Sequence, residues 1–142
     1  MLVRCLYASR ARGSVTPELL DAILKTSTSN NTAHGITGML CFAGDVFVQI
    51  LEGGRDEVCE LYNRIARDER HTHVRLLSYE EIGKREFCQW TMGTVDLRGV
   101  NPATLLRYSP HPGFDPFAIS GKATLALFTE LATGGAVSAR GP

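Results

Sequence analysis

Neither sign of charge is in excess: fifteen Lys and Arg balance fifteen Asp and Glu over 142 residues. Binding nucleic acid in general requires surplus cations to displace counterions from phosphates, so that class is disfavoured. A polybasic membrane-surface role is disfavoured on the same ground. No apolar run approaches the roughly 18 residues of a bilayer span. The N-terminal segment Leu2-Val3-Arg4-Cys5-Leu6-Tyr7 carries a charge and alternates like a strand, so it does not read as a signal peptide. There is no Cys-x-x-Cys, and His71 and His73 have no His or Cys companion at ligand spacing, which leaves no metal site. Also missing are a nucleophile elbow, a phosphate loop, a Gly-x-Gly-x-x-Gly, internal repeats and low-complexity tracts. The cysteines (Cys5, Cys41, Cys59, Cys88) sit among apolar neighbours and are expected to be buried free thiols in a reducing cytoplasm.

What remains is an ordinary globular composition, 44% hydrophobic and 21% charged, of single-domain length. Residues 2–8 alternate as a strand. Thr16 is a good N-cap with Pro17 at the first helical position, and Leu19, Leu20, Ile23 and Leu24 set a helical stripe. The spacing predicts a helix over 17–28, ended by the polar run 29–35. Strand-like runs at 36–42 and 46–51 flank Ala43-Gly44-Asp45, a hairpin with a three-residue connection. Val58, Leu61, Tyr62 and Ile65 repeat at helical spacing and predict an amphipathic helix over 55–68. Strands are expected near 73–79 and 90–97, the latter with Trp90, Met92 and Thr94 on one face.

This order, βαββαββ, is an α+β, ferredoxin-like arrangement: a five-stranded mixed sheet with two helices on one face. Residues 1–97 form the domain. Residues 98–133, with four prolines before a last helical stripe of Leu125, Phe128 and Leu131, form a C-terminal helical extension. The small, polar stretch 134–142 is expected to be a disordered tail.

Gln49 is the anomaly within this pattern. It lies in Val46-Phe47-Val48-Gln49-Ile50-Leu51, apolar on both faces, and an unpartnered buried amide costs about 1–3 kcal/mol. It must pair inside the fold, with Tyr7 on the adjacent strand or a water, or face a bound polar ligand. Asn30 and Asn31 read as a helix end, or as amides aimed at a ligand that both donates and accepts. Trp90 and Met92 read as core filling unless a ligand lies nearby. Arg64, Asp68, Arg70 and His71 read as a solvated helix end.

Taken together, these residues resemble the BLUF domain, a blue-light sensor that uses a flavin. The carrying stretches are Leu6-Tyr7-Ala8-Ser9, residues 30–40 (Asn30-Asn31-Thr32 to Gly38-Met39-Leu40), residues 47–53 (Phe47-Val48-Gln49 to Glu52-Gly53), residues 64–71 and Trp90-Thr91-Met92. The match runs over residues 1–97 in order. The C-terminal part, with Tyr108-Ser109 and a late helix, is similar to short stand-alone members of the cyanobacterial phototaxis-regulator type.

The resemblance implies FAD, or FMN or riboflavin, between the two helices. It implies that Ile23 and Ile65 hold the ring faces and that Asn31, assisted by Asn30, bonds the ring edge. Leu40, Phe47, Arg64, Asp68 and His71 join the cofactor site. Tyr7 and Gln49 would be the photoactive pair: light makes the flavin a strong oxidant, an electron and a proton leave Tyr7 by way of Gln49, and Gln49 resettles rotated or as its tautomer. Trp90 and Met92 would mark the strand that responds. The implied protein is a cytoplasmic receptor and not an enzyme. It would signal to a downstream protein effector or through a homo-oligomer, without nucleic acid or membrane. Three rivals share the fold: a light-insensitive interaction module, an acylphosphatase-like enzyme with a weak Arg10-Ala11-Arg12-Gly13 loop, and an RNA-recognition module lacking paired sheet aromatics.

Overall fold

A computed structural model describes residues 1–135 and 137–140, the last three by backbone alone. The elements are β1 (Leu2–Ala11), α1 (Pro17–His34), β2 (Thr37–Ala43), β3 (Val46–Gly54), α2 (Arg55–Arg67), β4 (His71–Ile82), β5 (Met92–Asp96), a 3-10 turn (Leu97–Gly99), α3 (Pro102–Leu106), α4 (Gly121–Thr133) and β6 (Ser138–Arg140). The sheet order is β4-β1-β3-β2-β5-β6. The first four strands pair antiparallel and β5 runs parallel to β2. This is the expected five-stranded ferredoxin-like sheet, with one strand more.

The centre of the sheet is apolar on both sides. Val3, Cys5, Tyr7, Leu40, Phe47, Leu51 and Met92 pack with Leu24 of α1 and Val58 of α2. Leu6, Ala8, Met39, Val48 and Ile50 face the other way and pack with Leu105 of α3 and with Leu127, Phe128 and Leu131 of α4. The C-terminal helices thus cover the face that α1 and α2 leave free. Gly38 lets β2 and β3 approach: a Cβ there would lie 2.0 Å from the Ile50 carbonyl oxygen.

Several boundaries differ from the sequence reading. Thr16 caps α1 and accepts from the Leu19 N–H, but the helix runs six residues beyond the expected end. Asn30 and Asn31 are helical, and the stop is Gly35, at φ 65, whose N–H reaches the Asn31 carbonyl. Polarity alone does not break a helix; the left-handed residue does. The hairpin turn is two residues, Gly44-Asp45, with Ala43 still in β2, because Gly44 supplies the positive φ of 59 at the first central position. β4 is twelve residues long, with register shifts against β1.

β5 begins at Met92, so Trp90 lies outside it. Trp90 packs with the cluster on the α3/α4 face while Met92 packs on the α1/α2 face. The expectation that they share a face is therefore corrected: strand alternation does not extend back through Thr91. A Cβ on Gly93 would meet the Trp90 ring at 3.1 Å. The thiols are free, but only Cys5 and Cys41 are buried; Cys59 is half-buried and Cys88 exposed, since each lies outside the sheet interior. Burial pushes the Cys5 thiol up to about 12. Within the tail expected to be disordered, residues 138–140 pair antiparallel with β5, satisfying an otherwise open strand edge; 136, 141 and 142 lie outside the described residues.

Candidate functional site

β1 and β3 lie side by side in the middle of the sheet, and Tyr7 stands directly opposite Gln49. Both side chains point to the α1/α2 face and are 2% and 5% exposed. The Tyr7 hydroxyl donates to Gln49 Oε1. Gln49 Nε2 donates to the Met92 Sδ at 3.3 Å. A phenol, a carboxamide and a thioether thus form one buried chain across β1, β3 and β5. Burial raises the Tyr7 pKa strongly, with smaller contributions from neighbouring Cys5, Tyr62 and Asp68, so the phenol keeps its proton. The Tyr62 ring meets Tyr7 edge-on at 5.7 Å.

A cavity of about 340 Å³ opens beside this chain between α1 and α2. That is within the range of small-molecule and cofactor sites. Leu40, Phe47, Tyr7 and Gln49 line it from the sheet, Ile23, Asn30 and Asn31 from α1, and Arg64 and Ile65 from α2, with Asp68 and His71 beyond the end of α2. Every side chain that the resemblance assigns to the cofactor lines this cavity, whereas Trp90 and Met92 do not.

Asn31 is buried, yet its amide is half satisfied. Nδ2 donates to the Thr91 carbonyl at 2.8 Å, while Oδ1 has no partner. Such an atom on a cavity wall is an acceptor awaiting a donor. Asn30 also lines the wall, and its carbonyl is bonded to His34 Nδ1 at 2.8 Å. At the other end, Asp68 closes α2 and binds Arg70 through Nε and the backbone N–H. Those hydrogen bonds hold the Asp68 carboxyl below its usual range. His71 Nδ1 lies 3.0 Å from the buried Ser9 hydroxyl, and its ring meets Phe47 edge-on at 5.8 Å. Burial lowers the His71 pKa, so the ring favours the neutral form.

Thr26, Ser27, Leu61, Arg67 and Arg70 also line the cavity and were not expected there. Thr26 and Ser27 lie one turn from Ile23 and Asn30, and Leu61 one turn before Ile65. These three lie inside the helices expected from the sequence, and helical spacing alone would have found them. Among the described residues no cluster of His, Cys, Asp and Glu could hold a metal ion. No described helix is long and apolar enough to cross a membrane.

A family model, "BLUF: Sensors of blue-light using FAD", matches residues 2–93. The chain is 38% identical over 87 residues to photoactivated adenylate cyclase subunit beta of Euglena gracilis, covering 61% of this chain and 10% of that protein. It is 30% identical over 98 residues to the blue light- and temperature-regulated antirepressor BluF of Escherichia coli K12, covering 69% of this chain and 24% of that one. The chain therefore spans about a tenth of the cyclase subunit and a quarter of the antirepressor. Among solved structures, the ground state of BlsA aligns with a TM-score of 0.84 at 28% identity, covering 100% of this chain and 95% of BlsA. The dark state of BlrB, a BLUF protein, aligns at 0.78 and 31% identity, covering 94% and 96%. By sequence and by fold, the chain belongs to the BLUF family of FAD-using blue-light sensors.

Proposed function

We propose that Tyr7 and Gln49 are the photoactive pair of this sensor, beside FAD held between α1 and α2. The Tyr7–Gln49–Met92 hydrogen-bond chain carries this reading. The cavity suits a flavin: Ile23 and Ile65 offer apolar walls, and Asn31 Oδ1 offers an acceptor to a ring-edge N–H. Arg64, Asp68 and His71 line the polar end. Excited by blue light, the bound flavin supplies a strong one-electron oxidant.

Tyr7 gives up an electron, and its hydroxyl proton moves along the existing bond toward Gln49 Oε1. The buried, low-dielectric surroundings make each bond of the network sensitive to the others. When electron and proton return, Gln49 settles rotated or as its tautomer. A rotated amide turns Nε2 toward the Tyr7 oxygen and Oε1 toward Met92. A thioether accepts but cannot donate, so the Gln49–Met92 bond is lost. Met92 is the first residue of β5, so the change reaches the strand that joins the flavin face to the C-terminal helices. β5 is the two-state element in this reading.

The signal leaves through a protein surface, toward a separate effector or a second copy of the chain. We read the protein as a cytoplasmic receptor without enzymatic activity of its own. The test is an absorption spectrum before and after blue illumination. The flavin-loaded protein should shift slightly to the red and recover in the dark. Tyr7→Phe and Gln49→Leu should retain the flavin and lose the shift. A normal photocycle in either variant overturns the assigned route.

A further inference from the structure

β4 is the outer edge of the sheet, and none of its twelve residues is buried. Leu76 and Tyr79 are 51% and 40% exposed, large apolar groups on an open edge. A long edge strand is a template for another strand unless charge or shape prevents pairing. The charges on β4 are ordered. Arg75 stands before Leu76-Leu77-Ser78-Tyr79, and Glu80 stands after it.

The register against β1 decides which side chains share a face. Leu76 pairs with Tyr7 and Tyr79 with Cys5, so both lie on the α1/α2 face. Arg75 pairs with Ala8 and Glu80 with Arg4, so both lie on the α3/α4 face. Residues 76 and 79 share a face because the register shifts between Leu6 and Tyr7, leaving Leu77 as an extra residue. The bulge is fixed by packing: a Cβ on Gly121 would lie 2.4 Å from the Leu77 carbonyl oxygen.

We propose that β4 pairs antiparallel with β4 of a second copy, about a two-fold axis between Leu77 and Ser78. This names the surface for the homo-oligomer reading above and rests on that reading, but not on the photochemistry. In this register Arg75 faces Glu80 of the second copy, and Leu76 faces Tyr79 of the second copy. Both pairings keep like faces together. A one-residue slip sets Leu76 against Ser78, on the opposite face, so the bulge selects the register. Arg75 forms no ion pair among the described residues; its guanidinium bonds the Val74 carbonyl at 3.1 Å. Glu80 uses Oε1 for Arg4 at 2.9 Å, and a carboxylate accepts more than one such bond. The interface is isologous, so every contact occurs twice. An unrelated strand would not meet this order of charge and apolar bulk.

The experiment is sedimentation equilibrium of the FAD-loaded protein over a range of concentrations. Wild type should form a dimer. Arg75→Glu and Glu80→Arg should each weaken it at least about tenfold, because each reversal turns two attractive cross-strand pairs repulsive. An equimolar mixture of the two variants should dimerise again. One variant then carries acidic side chains at both positions 75 and 80, and the other carries basic ones at both, so every cross-strand pair is again of opposite sign. Neither residue lines the flavin cavity, so both variants should keep FAD and the light-induced shift. Retained FAD also shows that they fold. A wild type that stays monomeric, reversals that leave dimerisation unchanged, or a mixture that stays monomeric overturns the proposal. None of these outcomes touches the Tyr7–Gln49 assignment, which is read from the spectrum.

Discussion

Glu52 is a carboxylate with no exposure at all, placed at the end of β3. Its Oε2 takes Arg4 Nε at 2.8 Å, and its Oε1 takes the backbone N–H groups of Glu86 and Phe87 at 2.9 and 2.6 Å. The substitution to make is Glu52→Gln. A carboxamide has one acceptor oxygen, which can keep the two backbone bonds. Its NH2 then faces the Arg4 N–H, donor against donor. Removing one partner of a buried ion pair costs about 3–5 kcal/mol. Arg4 keeps Glu80 at 2.9 Å and stays stacked over the Phe87 ring at 5.8 Å, which favours the low end, about 3 kcal/mol. At roughly 3 °C per kcal/mol for a chain of this size, the melting point should fall by about 10 °C. The assay is thermal unfolding followed by circular dichroism at one fixed FAD concentration, because bound ligand itself raises stability. A fall under about 3 °C, the value of an exposed pair, would refute the view that this carboxylate holds the loop before β5.

Two further outcomes follow from the site. Asn31→Ala should raise the FAD dissociation constant about tenfold, the value of one buried hydrogen bond, in a flavin-fluorescence titration; an unchanged constant would remove Asn31 from the ring edge. His71 is held by burial below its ordinary 6.5. The unfolded chain therefore binds its proton first as pH falls. Its contribution should be complete above pH 6.5 and be lost as pH drops through the lower folded-state value. His71→Gln should flatten that part of the melting-point profile, and an unflattened profile would assign the loss to another group.

β2 and β3 were legible as short apolar runs bounded by turn residues, because the middle of the sheet is buried on both faces, and the stripe of α2 because burial on one face imposes a period. Gln49 was legible as a polar break in an apolar run, and its partner followed from the adjacency of β1 and β3. The end of α1 was not, because Asn30-Asn31-Thr32 has a loop's composition. The stop is set by the left-handed Gly35, and the polar run ahead of it hides that signal. The side taken by Trp90 was hidden as well. It depends on where strand pairing begins, which is a property of β2 as much as of the segment itself. The pairing of 138–140 with β5 likewise follows from an open edge elsewhere in the sheet. The role of Glu52 was not legible, since its two backbone partners lie in a loop whose position no local pattern encodes.

The segment ahead of β5 is moored at both ends. Arg85 ties it to the carbonyls of Gly35 and Glu52, Glu52 grips Phe87, and the Trp90 carbonyl is bonded to the Gly38 N–H at 3.2 Å. Between the Phe87 and Trp90 moorings only Cys88 and Gln89 are left to pay out. Any slide of β5 along β2 must therefore first break the Trp90–Gly38 bond and the Asn31–Thr91 bond beside it. The leash thus ties Asn31 on one face of the sheet and Phe87 on the other to the start of a single strand.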